Sequence, residues 1–591
     1  MLKKFFLNAV SSFVGAWVAL LLFGIVVVLA IIGVAVKLGA STGTSGVSKH
    51  SILTLELNGV IEERETAMEP DYNLLLGGVE RPQTLNVIVQ ALRDAAENKN
   101  IDALYIKCGM VSASPATLNA IRDEVLSFRK SGKKIIAYGD VLMSGAYYVA
   151  SAADSVFINP YGSVEMSGLS STSLYMKGLF DKIGVSFQVV KVGTFKSAVE
   201  PYIMENMSEP AKAQLDTLFG NMWSYMRKRI CENRKRLTPK KIDSLINQVS
   251  ITFAPVEGAV KSGLADAAVY ERVMDGKLAA MIGQDTDDLN FVSPSDLTGN
   301  NPFETSFGDK NKIAVLYATG EIADGSKTGI NYQNLVPVIT KLADDENVKG
   351  LVLRVNSPGG SAFGSDQIGE ALDYFKSTGK PFAVSMGDYA ASGGYWISCG
   401  ADVIYADPLT ITGSIGIFGL IPNGEVLLDK IGVNPQFAGT NPSANFPTLY
   451  KPMDERQLAV VQANVDRGYD RFINRVAKGR KMQASKVRLI AEGRVWDAMK
   501  AKEIGLVDHL GGLESAIKWT AGKAKISDKY SLEVYPETEL SIWDIMAAGN
   551  YSEISERLMS GNFSDLTVNY IKRYLEREKI QARMPEIKVG F

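Results

Sequence analysis

The chain has 591 residues, which is more than one hydrophobic core supports and predicts several domains. Lys and Arg number 63 against 65 for Asp and Glu, so no net positive field favours nucleic acid as a partner. The cysteines Cys108, Cys231 and Cys399 form no C-x-x-C pair, and the histidines are only His50 and His509. These counts disfavour zinc sites, and we expect neither a metal nor another cofactor.

An uncharged apolar stretch lies near the start of the chain. It runs from Phe5 to Val36, preceded by Lys3 and Lys4, and is long enough to span a bilayer as one helix. Signal peptides have a shorter apolar region, which favours an uncleaved anchor, although A-V-K-L-G-A at its end leaves cleavage open. The preceding positive charge predicts a cytoplasmic N-terminus, one pass through a bacterial inner membrane and a periplasmic body. Residues 1–48 would comprise this anchor and a flexible Gly/Ser/Thr-rich spacer.

Beyond residue 48 the chain repeats itself once. The segment S-G-A-Y-Y-V-A-S-A-A-D from Ser144 matches S-G-G-Y-W-I-S-C-G-A-D from Ser392, 248 residues later. D-K-I-G-V recurs at the same interval, from Asp181 and from Asp429, and G-L-A-D and G-L-V-D close the two copies. Such regular self-similarity indicates one structural unit present twice.

Within each copy, short Val/Ile/Leu-rich runs alternate with helical patterns, which is typical of a parallel sheet covered by helices. We therefore predict two tandem α/β domains, an N-terminal repeat over residues 49–300 and a C-terminal repeat over residues 301–525. Long helices are expected from Ser208 to about Ile230 and from Asp454. Residues 526–591 carry further helical patterns and are predicted to be a helical appendage that serves packing or assembly.

Two glycine-rich elements of the second repeat are candidates for chemistry. In L-V-L-R-V-N-S-P-G-G-S, Gly359 and Gly360 follow a predicted strand, where glycine lets backbone N–H groups approach a ligand and face a developing oxyanion. In A-A-S-G-G-Y-W-I-S, Ser392 begins a helical pattern, and the N–H of Gly393 could be another oxyanion donor. S-G-G alone more often marks a tight turn with a capping serine.

A nucleophilic serine needs a base. Since His50 and His509 are poorly placed, the remaining candidates are a lysine or a carboxylate. The segment V-V-K-V-G-T-F-K-S-A-V-E-P-Y of the first repeat supplies Lys191 and Lys196. A lysine can act as a base only when it is neutral, so it would have to be buried.

Four motifs together closely resemble the long, duplicated, membrane-anchored form of the signal peptide peptidase A family. They are G-T-F-K-S-A-V-E-P-Y, S-P-G-G, A-A-S-G-G-Y-W-I-S and L-T-I-T-G-S-I-G-I-F-G, and the resemblance extends from the anchor to about Lys523. It implies a Clp-protease/crotonase-like fold and a Ser/Lys dyad that degrades cleaved signal peptides and other apolar peptides. It also implies homo-oligomers, of which we favour a homotetramer. The implied site residues are Ser392 as nucleophile, Lys196 as general base, and Gly359, Gly360 and Gly393 as the oxyanion hole.

The repeat predicts a single site built from both copies. Aligning the copies puts Met110–Ala113 opposite S-P-G-G, so the first repeat has no evident oxyanion hole. Aligning Gly193 and Thr194 with Gly439 and Thr440 puts Pro442 opposite Lys196, so the second repeat has no matching base. Ser144, which aligns with Ser392, is then expected to be a vestigial serine at a helix start.

Further expectations concern the surroundings of the site. Thr194 and Ser197 flank Lys196 and could orient it, and T-I-T-G-S-I-G-I-F-G could bind extended apolar substrates by strand addition. Two other functions stay open: a crotonase-like enzyme acting on an acyl thioester, and a catalytically silent membrane scaffold. Whether the dyad forms within one chain or between chains also stays open.

Overall fold

The computed structural model describes residues 47–64, 83–248, 252, 254–298, 310–325, 329–441, 443–527, 529–536, 580–584 and 587. Those from Lys49 onward belong to one compact unit. The elements of the first repeat are β1 (Ser51–Glu62), β2 (Gln83–Thr84), α1 (Leu85–Glu97), β3 (Ile101–Ser112), α2 (Pro115–Arg129), β4 (Lys134–Met143), α3 (Ser144–Ala150), β5 (Ser155–Glu165), α4 (Lys177–Ile183), β6 (Ser186–Lys191), α5 (Glu200–Ile203), α6 (Glu209–Asn233), α7 (Pro239–Asn247), α8 (Val256–Ser262), β7 (Ala267–Ala268), α9 (Met274–Ile282), β8 (Asn290–Val292) and α10 (Pro294–Thr298).

The remaining elements belong to the second repeat and to the C-terminal stretch. They are β9 (Lys312–Thr319), α11 (Tyr332–Asp344), β10 (Val348–Ser357), β11 (Gly359–Ser361), α12 (Ala362–Ser377), β12 (Phe382–Ala391), α13 (Gly393–Ser398), β13 (Val403–Ala406), β14 (Ile411–Gly413), β15 (Phe418–Asn423), α14 (Glu425–Lys430), α15 (Glu455–Gly479), α16 (Ala484–Ile490), β16 (Val495–Asp497), α17 (Ala498–Glu503), β17 (His509–Leu510), α18 (Leu513–Lys523), β18 (Ser531–Tyr535) and β19 (Ile580–Arg583).

The first repeat is built on a parallel sheet. Its described strands follow the order β2-β1-β3-β4-β5-β7, and β8 also pairs with β1. Leu53 of β1 lies beside Leu104 of β3, and both side chains are fully buried. Continuous apolar strands of this kind are typical of a parallel sheet that has helices on its faces.

The second repeat contains an equivalent sheet with the order β16-β14-β12-β10-β9-β18. Its central strand β10 pairs in parallel with β9 and β12, and Leu353 lies between Leu316 and Val384. In both repeats the strand that precedes the S-G motif leads directly into a short helix, α3 after β4 and α13 after β12. The predicted pair of α/β repeats with parallel sheets and covering helices is therefore confirmed.

A small antiparallel sheet combines strands from both repeats. Its order is β11-β19-β15-β6, so β6 of the first repeat pairs with β15 of the second. Val189 lies opposite Leu420 and Lys191 opposite Phe418. The segment that follows β6 and carries Lys196 therefore begins at a strand of the second repeat.

The predicted long helices are present as α6 and α15, with Ser208 and Asp454 as their N-caps. Within the predicted helical appendage the described residues include two strands, β18, which extends the second sheet beside β9, and β19, which joins the small sheet. Residues 537–579 lie outside the described residues, so the helical character of the appendage stays a prediction. The predicted boundaries at residues 48, 300 and 525 stay predictions, as does the Clp-protease/crotonase assignment. The predicted anchor lies outside the described residues, among which no helix is long and apolar enough to cross a membrane.

Candidate active site

Ser392 occupies the junction between β12 and α13. Its backbone has φ 55° and ψ −114°, a conformation in the left-handed half of the Ramachandran plot that residues other than glycine rarely adopt. Two hydrogen bonds hold it there: its N–H donates to the Gly413 carbonyl at 2.8 Å, and its carbonyl accepts from the Trp396 N–H at 2.8 Å. A strained residue held by its surroundings is common at functional sites.

Lys196 reaches this junction because two glycines let its segment pack against the second repeat. Gly193 has φ +107°, and a methyl group on it would lie 2.4 Å from the carbonyl oxygen of Glu492. Gly493 has φ +76°, and a methyl group there would lie 2.7 Å from Cβ of Lys196. The Phe195 N–H donates to the Glu492 carbonyl at 2.9 Å, which fixes the segment in place.

The two candidate catalytic side chains meet within one chain. Lys196 Nζ lies 2.8 Å from Ser392 Oγ, and both residues have 0% of their surface exposed. Nζ also lies 3.1 Å from both the carbonyl oxygen and Oγ of Ser414. The sequence alone leaves open whether the pair forms within or between chains, and in this structure both partners belong to the same chain.

Burial lowers the pKa of the Lys196 ammonium well below its usual value. The physical cause is the loss of hydration, since charging an amine that is shielded from water is costly. The Phe418 ring, whose centroid lies 6.0 Å from Nζ, adds apolar surface to this environment. The neutral amine, which can accept a proton, is therefore favoured.

Gly359 and Gly393 lie against each other beside Ser392. A methyl group on Gly359 would come within 2.7 Å of the Gly393 nitrogen, and the φ of Gly359 is +99°. The Gly359 N–H donates to Ser357 Oγ at 3.2 Å, whereas Gly393 begins α13 and its N–H has no acceptor within that helix. Gly360 is packed against Ile322, whose carbonyl oxygen would lie 2.0 Å from an added methyl group.

The first repeat lacks this arrangement. Its residues opposite S-P-G-G continue β3 as far as Ser112, which pairs with Val60, and do not turn. Ser144 does begin α3, but its hydroxyl donates to the Glu165 carbonyl at 3.0 Å. Pro442, which aligns with Lys196, lies outside the described residues.

Both histidines lie away from this site. His50 Nδ1 is 2.7 Å from a carboxylate oxygen of Asp102, and His509 packs against the Tyr405 ring with centroids 5.2 Å apart. The sequence did not single out Ser414, and favoured Thr194 and Ser197 as the residues that orient the lysine. Its only sequence signal is its position in L-T-I-T-G-S-I-G-I-F-G, a motif that is expected to bind extended apolar substrates.

Comparison with known proteins identifies a family and several relatives. The model of Peptidase family S49 matches the chain twice, over residues 127–280 and 374–527. Protease 4 of Haemophilus influenzae is 36% identical over 80% of this chain and 79% of its own length. A chloroplastic serine protease, SPPA, of Arabidopsis thaliana is 28% identical over 92% of this chain and 78% of its own length. A mutant ClpP1 from Listeria monocytogenes is 14% identical with a TM-score of 0.23, covering 36% of this chain and 96% of that one.

The two family matches fall on the two repeats, one on each copy of the S-G motif region. The relatives extend the similarity across most of the chain, including both repeats. The chain therefore belongs to peptidase family S49, and it is a serine peptidase.

Proposed function

We propose that Ser392 is the nucleophile and Lys196 the general base of this endopeptidase. The observation that carries the proposal is the 2.8 Å contact between two fully buried side chains from different repeats. This distance is within hydrogen-bond reach, which a base needs in order to take the serine proton. The family membership and this pair favour a peptidase over an acyl-thioester enzyme or a silent scaffold.

The reaction would proceed through an acyl-enzyme. Neutral Lys196 takes the hydroxyl proton as Ser392 Oγ attacks the peptide carbonyl carbon, and the C–N bond then breaks. The Lys196 ammonium returns the proton to the leaving amine. Water, deprotonated by the same lysine, hydrolyses the ester and releases the second product. Each step uses groups of the chain and water, so the proposal includes no metal or other cofactor.

Backbone amides beside Ser392 would stabilise the oxyanion. The N–H of Gly393 is the first candidate, and Gly359 and Gly360 supply the others from β11. The Gly359 amide would exchange its 3.2 Å hydrogen bond to Ser357 for one to the stronger, charged acceptor.

The proposed substrates are cleaved signal peptides and other apolar peptides. Support comes from the motifs shared with the signal peptide peptidase A family and from the apolar strands around the site, in which Phe418 and Ile421 are buried. Extended peptides would bind by adding a strand to the small sheet.

The proposed location is the periplasmic side of a bacterial inner membrane, with the stretch from Phe5 to Val36 as a single-pass anchor. The proposed assembly is a homotetramer. A chain that begins at Ser48 should be soluble, and its sedimentation should correspond to four copies. Sedimentation as a monomer at micromolar concentration would contradict the assembly.

Site-directed variants test the chemistry. Ser392→Ala and Lys196→Ala should each lower peptide hydrolysis at least about 1000-fold, because one removes the nucleophile and the other the base. Ser144→Ala is the matched control and should keep its activity. A serine-reactive phosphonate should label Ser392, an outcome that neither a scaffold nor a thioester enzyme without a nucleophilic serine would produce. Full activity of Ser392→Ala would overturn the proposal.

A further inference from the structure

Helix α6 carries a buried glutamine, Gln214, which is 2% exposed. The other buried residues of this helix are apolar: Ala211, Leu218, Met222, Met226 and Ile230. Its N-cap Ser208 corresponds to the N-cap Asp454 of α15, which puts Val460, exposed by 61%, at the position that matches Gln214. The architecture of the repeat therefore does not require a buried amide here, and a buried polar side chain calls for a specific reason.

The amide of Gln214 connects the two repeats. Its Oε1 accepts from the Val495 N–H at 3.1 Å, and its Nε2 donates to the Phe195 carbonyl at 3.4 Å. The orientation of the amide follows from chemistry, because a backbone N–H can only donate and must therefore face the oxygen. The NH2 group then faces the Phe195 carbonyl, so a single side chain ties the two backbone segments together.

The end at Phe195 lies directly before the proposed base. The Phe195 N–H donates to the Glu492 carbonyl at 2.9 Å, and the centroid of its ring lies 4.9 Å from Cζ of Arg494. Gln214 holds the third group of this residue, its carbonyl. That carbonyl belongs to the peptide group that joins Phe195 to Lys196, so holding it restrains the backbone from which the amine extends.

The end at Val495 lies on the strand that fixes the proposed nucleophile. Val495 of β16 pairs with Gly413 of β14, and the Gly413 carbonyl accepts from the Ser392 N–H at 2.8 Å. The adjacent Arg494 carbonyl accepts from the Ser414 N–H at 2.7 Å. The Gln214 amide therefore links the backbone beside the base to the backbone that holds both serines.

We propose that Gln214 is a positioning residue that holds Lys196 in place against Ser392. The proposal rests on the proposed function, since it takes Lys196 as the general base. Gln214 acts through the peptide group between Phe195 and Lys196 and not on the reacting atoms. Its effect on the rate should be large, because misplacing a catalytic group by about 1 Å can cost about 100-fold.

The first test is Gln214→Met, which keeps the length of the side chain and removes both hydrogen bonds. We expect kcat to fall about 10- to 100-fold and KM to stay within about twofold, since the change affects the base and not the binding of substrate. The pH limb of the activity should move toward the usual lysine pKa, because a displaced amine is less completely shielded from water. A loss of folded protein alone would leave the limb where it is.

The second test is the conservative variant Gln214→Glu. A protonated carboxyl group can accept from the Val495 N–H and donate to the Phe195 carbonyl, whereas a carboxylate has no donor. Burial raises the pKa of such a carboxyl group. Its kcat relative to wild type at the same pH should therefore rise at least about fivefold from about pH 9 to about pH 6. For Gln214→Met the same ratio should fall over this range, because its limb lies at higher pH.

Asn221→Ala is the matched control for both variants. Asn221 lies about two turns further along α6, and its Nδ2 donates to the Asp497 carboxylate of β16 at 2.9 Å. The substitution removes a hydrogen bond between the same helix and the same strand but leaves the contacts of Phe195 in place. Its kcat and pH limb should match those of wild type, and denaturant unfolding measures the stability that each variant loses.

Wild-type kcat in Gln214→Met, with Ser392→Ala inactive in the same assay, would overturn the positioning role and leave the proposed function intact. A lower kcat with an unmoved pH limb, and no recovery of Gln214→Glu at low pH, would assign Gln214 to folding and overturn the role as well. Full activity of Lys196→Ala would overturn the proposed function and this proposal with it.

Discussion

The Lys196 amine has hydroxyl and carbonyl oxygens as its polar contacts, from Ser392 and Ser414. Burial keeps the pKa of this amine low, and no carboxylate of the described residues forms an ion pair with it that would stabilise the charged form. The same burial makes the residue costly for folding. Below the usual lysine pKa the unfolded chain binds a proton that the folded chain resists, so stability rises with pH across that window.

Lys196→Met should therefore abolish activity and raise the thermal stability. The methionine removes the penalty for burying an ionisable amine, and an increase in Tm of about 2 to 4 °C at pH 7 is expected. The gain should shrink as the pH approaches 10, where the unfolded lysine also loses its proton. Calorimetry at pH 7 and near pH 10 measures the change in Tm. An equal increase at both pH values would contradict a neutral Lys196 in the folded protein.

Activity should rise with pH along a limb set by Lys196, because only the neutral amine accepts the serine proton. The midpoint should lie below the usual lysine value, in the direction of the lowered pKa. His509→Ala should leave the profile unchanged, since this histidine packs against Tyr405. A limb that disappears in His509→Ala would refute the dyad.

Ser414→Ala should lower kcat about 10- to 100-fold with little change in KM, because its hydroxyl orients the amine and does not hold substrate. The pH limb should also move, which a purely structural loss would not cause. Ser151→Ala is a matched control, since Ser151 is a buried serine whose hydroxyl donates to the Tyr148 carbonyl in the first repeat. Wild-type kcat in Ser414→Ala would exclude this positioning role.

At the scale of elements, strand β6 leads to Lys196, the proposed base, and brings it to Ser392, the proposed nucleophile. β6 is not part of the described sheet of its own repeat but pairs with β15. The residues that follow it, from Gly193 to Lys196, pack against Glu492 and Gly493. The close approach needs glycine, because a Cβ atom at position 493 would collide with Lys196 itself.

Gly493→Ala tests this packing and should lower kcat at least about tenfold by displacing Lys196. Gly505→Ala is the matched control: its φ of +85° is similarly unfavourable for alanine, but a methyl group there would be no closer than 3.8 Å to Met482. Both substitutions should cost about 1 to 2 kcal/mol of backbone strain, measured by denaturant unfolding. Equal kcat values for the two variants would contradict the role of this contact.

At the scale of the whole molecule, the proposed site draws on both repeats. In the proposed site, Lys196 comes from the first repeat, and Ser392 and Gly359 come from the second. The two repeats form one compact unit, so the site depends on their association.

Residues 48–300 and residues 301–591, prepared separately, should each be inactive. Mixing them should restore peptide hydrolysis, because β6 can then pair with β15 and place Lys196 beside Ser392. Peptide turnover by residues 301–591 alone, assayed at the same molar concentration, would disprove the shared site.

The sequence by itself determined what local patterns encode. Apolar periodicity predicted parallel sheets with helices, the 248-residue spacing predicted two repeats, and short motifs identified Ser392 and Lys196 as candidates. The tertiary structure alone decided which oxygens surround the amine, that Lys196 and Ser392 meet within one chain, and that β19 pairs with β11 and β15 in the small sheet. The reason is physical. The partners of Lys196 lie 196 and 218 positions away from it along the sequence, and its pKa depends on burial by segments that no local pattern connects.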